Sequence, residues 1–109
     1  MRLTFLGKAT QGGGSPTLWA TDRDTYVVQG WKVPDQPYSV EIPHRLLKHL
    51  EHGTYMGARL ADTGRGSFTL SGRPVADAAA LDHMDIPGHE TCVEVPKENE
   101  VWFGGASTG

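Results

Sequence analysis

A chain of 109 residues makes about one small domain, which excludes a two-domain enzyme. Fourteen glycines and seven prolines punctuate it too often for a coiled coil or a long helical bundle. A net charge of −3 and a pI near 5.9 argue against a nucleic-acid partner held through phosphate contacts, which need clustered Lys and Arg.

The predicted elements begin with a strand over Leu3 to Leu6, followed by a flexible loop at Gln11-Gly12-Gly13-Gly14-Ser15. Thr17 to Thr21, Thr25 to Val33 and Tyr38 to Ile42 are rich in β-branched and aromatic residues and bounded by Asp, Gly and Pro, so they read as strands. The short Asp22-Arg23-Asp24 step makes a hairpin of the first two. Pro43 suits a helix start, and the helix predicted to run on to His52 stops at Gly53, with Leu46, Leu47 and Leu50 on one face. Further strands are predicted at Arg59 to Asp62, Ser67 to Val75 and Thr91 to Val95. Asp77 caps a short helix over Ala78 to Met84, which Ile86-Pro87-Gly88 ends. Past Pro96 the helix signal fails; Val101-Trp102-Phe103 suits a strand, and Gly104 to Gly109 reads as a frayed tail. The expected fold is a single small α+β domain, mostly antiparallel β-sheet with one or two short helices.

An internal repeat runs through this pattern. At an offset of forty-two, Leu18, Thr21, Arg23, Gly30, Val33 and Asp35 fall on identical residues at 60, 63, 65, 72, 75 and 77. At an offset of fifty-three, Tyr38-Ser39-Val40-Glu41-Ile42-Pro43 resembles Thr91-Cys92-Val93-Glu94-Val95-Pro96. The implied duplication has halves at 15–53 and 57–103, the second carrying extra residues around Ala78 to Gly88.

Alternation then sorts the faces. Tyr26, Val28 and Gly30 match Phe68, Leu70 and Gly72, so that row is inside. The opposite row is Val27, Gln29, Trp31 in one half and Thr69, Ser71, Arg73 in the other, while Trp19 is matched by Ala61. The first half therefore turns Trp19, Val27, Gln29 and Trp31 toward a face that the second half leaves polar or small. Clustered large apolar residues mark an interaction site when exposed. The alternative is a second small core under another element, such as the helix around Leu46 or the terminal Trp102 and Phe103.

No catalytic motif emerges. The five histidines match no zinc spacing, although His49 and His52 share a turn and His83 and His89 flank Asp85, so no metal or other cofactor is expected. Cys92, beside His89, sits mid-strand next to Glu94 rather than in the electropositive pocket a nucleophile needs. The glycine cluster lacks the lysine and helix of a phosphate loop. Arg23 and Arg65 read as turn residues, and Asp82, Asp85, Glu90 and Glu94 as a solvated acidic stretch, the sharper option being a site for a basic partner. One cysteine and the lack of an apolar run of ~20 residues point to a cytoplasmic protein with no membrane partner.

The segments Ser15-Pro16-Thr17-Leu18-Trp19-Ala20-Thr21-Asp22, Thr25 through Val33, and Ile86-Pro87-Gly88-His89-Glu90-Thr91-Cys92-Val93-Glu94-Val95-Pro96 resemble short actinobacterial proteins found near helix-turn-helix regulators and small acidic companion proteins. The resemblance implies a regulatory or accessory role and carries no catalytic residue. Against it, the stretch from Gln36 to Gly72 looks inserted, so the internal match reads either as a duplication or as an insertion similar to its host. The expected function is protein–protein interaction in regulation, with Trp19, Val27, Gln29 and Trp31 as contact face and a helix-turn-helix regulator or a second copy as partner. The alternative is a small-ligand binding protein using that face or a cavity between the halves.

Overall fold

The computed structural model describes residues 1–9 and 15–99. The expected glycine loop other than Ser15, the Trp102-Phe103 segment and the tail lie outside the described residues. Nine strands are described: β1 (Leu3–Lys8), β2 (Thr17–Thr21), β3 (Thr25–Val33), β4 (Gln36–Pro43), β5 (Thr54–Met56), β6 (Ala61–Asp62), β7 (Ser67–Ser71), β8 (Arg73–Pro74) and β9 (Glu90–Asn99). A 3₁₀ turn covers His44–His49 and one α-helix, α1, covers Ala78–Met84. The molecule is thus mostly antiparallel β-sheet with few short helices. No helix among the described residues is long and apolar enough to cross a membrane.

Every strand pairing is antiparallel, and one path through the sheet runs β1-β2-β3-β4-β7-β6. β9 pairs with the free side of β3 and, on its own other edge, with β8 and β5. Because β7 passes through Gly72 into β8, these pairings return on themselves, from β3 to β9, to β8 and β7, to β4 and back to β3. A closed ring of strands leaves no open edge inside it, and its interior fills with side chains. Leu18, Tyr26, Val28, Val40, Ile42, Leu46, Leu70, Val93 and Val95 occupy that interior, nearly all without solvent contact. The inward row read from alternation is therefore the inward row of the fold.

The two repeat offsets also carry strand pairs onto strand pairs. Thr25, Tyr26, Val27, Val28 and Gln29 lie opposite Pro96, Val95, Glu94, Val93 and Cys92. Moving the first set up by forty-two and the second down by fifty-three gives Ser67 to Ser71 opposite Pro43 to Ser39, which is the observed register of β7 on β4. The same operation takes Trp31 opposite Glu41 to Arg73 opposite Glu94, and Trp19 opposite Val27 to Ala61 opposite Thr69. Side chains follow. The Thr25 hydroxyl donates to Glu94 as the Ser67 hydroxyl donates to Glu41, and Lys97 N donates to Asp24 O as His44 N donates to Gly66 O. β3 of the first half thus pairs with β9, the last strand of the second, and its equivalent β7 pairs with β4, the last strand of the first.

One expectation changes at the helices and one holds. The helix predicted from Pro43 to His52 is a 3₁₀ turn of six residues, without a side-chain cap and closed by a bond from Leu50 N to Leu47 O. Leu46 is fully buried while Leu47 and Leu50 pack against the core half-buried; Arg45 Nε donates to Ala9 O and the Tyr26 hydroxyl accepts from Glu51 N, so outside contacts fix the backbone where a longer helix would continue. α1 does occupy Ala78–Met84, and its Asp77 cap accepts from Ala80 N as predicted.

The outward row is where the fold departs most from expectation. Trp19, Val27 and Cys92 form a second cluster with Val75, Ala80 and Met84. α1, contributed by the extra residues of the second half, lies across the sheet of the first. Trp19 is 7% exposed, Val27 0% and Gln29 2%, so the open aromatic face is corrected to a covered second core. The covering element is neither the turn around Leu46 nor the terminal aromatics but the short helix after Asp77. Seven residues of helix are too few to persist alone in water, so α1 exists through this packing. Burial of Met84 against Trp19 supplies roughly 1.5–3 kcal/mol.

Candidate functional site

Covering the outward row leaves a gap at one edge. β1 lies beside β2 with Phe5 opposite Trp19, and the two rings meet edge to face with centroids 5.7 Å apart. The indole touches His83 of α1 on another side, at 5.5 Å. Between β1, β2 and the end of α1 a cleft of about 190 Å³ opens, walled by Phe5, Trp19 and Met84 and bordered by Lys8 and Asp85. Phe5 is 51% exposed, with its ring at the edge of this cleft. Asp85 holds its place through a left-handed backbone at the end of α1, with φ of 52°.

A polar chain forms the floor. Trp19 Nε1 can only donate, so the Gln29 atom 3.3 Å away is Oε1. The amide nitrogen then faces Glu90, donating to Oε1 at 2.9 Å. One Nε2 proton is spent there and the second remains for a group entering the cleft, which Gln29 lines. Glu90 Oε2 is buried without a hydrogen-bond partner; His89 Nε2 stands 3.6 Å away. At the rim, the Thr17 hydroxyl donates to Ser15 O, leaving its lone pairs to accept.

The four sequence-predicted residues therefore part company. Trp19 and Gln29 line the cleft, Val27 is sealed beneath α1, and half-buried Trp31 lies outside the second cluster, with Glu90 and Glu41 as its strand neighbours. Phe5, Lys8, Met84, Asp85 and Glu90 were not singled out for this site. Phe5 had a signal: alternation puts it on one face of the first strand, yet without a register for β1 nothing tied it to Trp19. Glu90 could have been found from the repeat, which sets it on the outward row beyond Cys92.

The other groups weighed for chemistry are quiet. Burial pushes the Cys92 thiol up to about 11, away from the thiolate that attacks or binds metal. Among the described residues no three His, Cys, Asp or Glu side chains gather as a metal site. The repeat relates the cleft to a second hollow, because Thr17, Trp19 and Gln29 correspond to Arg59, Ala61 and Ser71, which line a trough of about 240 Å³ on the other half. No family model, curated protein or solved structure matches the chain.

Proposed function

We propose that the protein is a small regulatory or accessory module that binds another protein, and that it does so by receiving one apolar side chain in the Phe5–Trp19 cleft. The half-exposed Phe5, set edge to face against a nearly buried tryptophan at the mouth of a hollow, carries this reading. Rigid aromatic walls bind apolar groups at low entropic cost, and the Gln29 amide nitrogen is placed to donate its second proton to a peptide carbonyl beside that side chain. Lys8 and Asp85 supply one charge of each sign at the rim, which orients a chain without demanding a charged ligand. A cytoplasmic setting belongs to the same reading, as does an α+β domain that arose by internal duplication, supported by the shared strand register of its halves.

N-acetylphenylalaninamide and N-acetylleucinamide serve as surrogates for the partner side chain, followed by NMR at the Trp19 indole and Gln29 amide protons. Saturable shifts at both, absent at Trp31 and lost in Phe5→Ser, are expected. Uniform small shifts at tens of millimolar, or shifts undiminished in Phe5→Ser, refute the reading. Solution mass of the wild type and Phe5→Ser tells whether a second copy is the partner.

A further inference from the structure

The first half has no counterpart of α1. Where α1 leads from β8 to β9, the equivalent connection in the first half is the tight turn between β3 and β4. Among the described residues no helix covers the outward face of β6, β7 and β4, and small side chains, Ala61 for Trp19 and Ser71 for Gln29, hollow it into the trough. Gln36 lines both this trough and a larger cleft of about 390 Å³ between the β3–β4 turn and Thr91 of β9.

The hydrogen-bonding capacity of this joint surface is lopsided toward donors. The Ser39 hydroxyl gives its one proton to Gln36 Oε1 at 3.2 Å, so the Ser71 hydroxyl donates to Ser39. The Gln36 amide nitrogen keeps both protons. Lys32 in the cleft and Arg59 in the trough are exposed, and neither side chain makes a hydrogen bond or ion pair within the described residues. Asp35 is the one carboxylate lining either hollow. The neighbouring carboxylates are engaged, Glu41 by Arg65 and Ser67, Asp62 by His44 and Gly64 N. A concave surface with two free cations and a free amide, on a chain of net charge −3, reverses the local sign of the field.

We infer that this surface, from Lys32 across Gln36 to Arg59, docks an acidic peptide segment of a partner protein. Separate cations either side of a neutral donor suit carboxylates spaced along an extended chain. A nucleic-acid strand carries about one charge per 3.4 Å along its whole length, about one per 1.7 Å in a duplex, and meets repulsion from the rest of this acidic molecule. The surface is independent of the aromatic cleft, and its test is separable.

Fluorescein-labelled hexaglutamate is titrated with the full chain and followed by anisotropy, with labelled hexaserine and a single-stranded oligonucleotide of equal charge as comparisons. Saturable hexaglutamate binding that weakens with salt is expected, with about threefold loss in Arg59→Gln or Lys32→Gln alone and about tenfold in the double variant. Phe5→Ser leaves this binding unchanged, while Asp35→Asn strengthens it. All four positions are exposed, so the fold tolerates the changes. Binding that the double variant does not weaken, equal binding of hexaserine, or no binding at low salt overturns the proposal; tighter binding of the oligonucleotide overturns the choice of a peptide.

Discussion

Replacing Gly30 and, separately, Gly72 with alanine tests the equivalence of the two halves at its tightest point. A Cβ on Gly30 would fall 2.6 Å from Glu41 O and 2.8 Å from Ile42 Cγ2; on Gly72 it would fall 2.6 Å from Glu94 O and 2.9 Å from Val95 Cγ1. Attractive contact begins near 3.5 Å, so in either case a neighbouring strand must yield by roughly 0.9 Å. The obstructing atom is a backbone carbonyl held in the ring of pairings, which puts the cost at the upper part of the roughly 1–3 kcal/mol range for overpacking. The reduced entropy of the unfolded chain returns about 0.5 kcal/mol. Each variant should therefore lose about 2 kcal/mol, read as a fall of about 1 M in the urea midpoint for a slope of ~2 kcal/mol/M. Two losses differing by more than about 1 kcal/mol, or either variant within 0.5 kcal/mol of wild type, would refute the claim that one packing problem is solved twice.

Two further outcomes follow from the covered face. The Cys92 thiol is held protonated by burial, so its contribution to stability is complete below the ordinary value of 9.0 and is lost as pH rises toward about 11. Urea midpoints should sag over that interval in the wild type and less in Cys92→Ala; parallel profiles would show that the thiol does not govern the alkaline limb. Glu90→Gln should be neutral or stabilising by about 1 kcal/mol, because it removes a buried carboxylate oxygen that has no partner while keeping an acceptor for Gln29. Glu90→Leu should instead cost about 1–3 kcal/mol by orphaning the Gln29 amide, and a tolerated leucine would mean that water reaches this site.

The interior was legible because strand alternation has a period of two and the repeat supplied an independent copy of it. Tyr26 and Val28 against Phe68 and Leu70 fix which row packs inward without any tertiary information. β2 and β3 were readable to their bounds for the same reason, each ending in Asp, Gly or Pro that cannot continue a strand. The 3₁₀ turn was not legible, since Leu46, Leu47 and Leu50 have helical spacing while the contacts that halt a helix come from Ala9 and Tyr26, distant in sequence. β5 was missed because three residues carry no measurable period and their partners, Lys97 to Asn99, are polar.

The site was legible as a composition but not as a surface. Trp19 and Gln29 stand out because their repeat equivalents are Ala61 and Ser71, and a difference between copies has to be met by something that only one copy possesses. The eleven extra residues of the second half were in plain view, and α1 within them was predicted with its cap. What periodicity could not supply was the destination of α1, because a connection from β8 to β9 seemed to belong to the second half, whereas β9 is paired along the first. The exchange of last strands between halves delivers α1 to the opposite sheet. That exchange also explains why asymmetry appears on both faces at once: the residues that cover Trp19 are the ones missing above Ala61, so a sealed aromatic floor on one half and a bare basic trough on the other have a single structural origin.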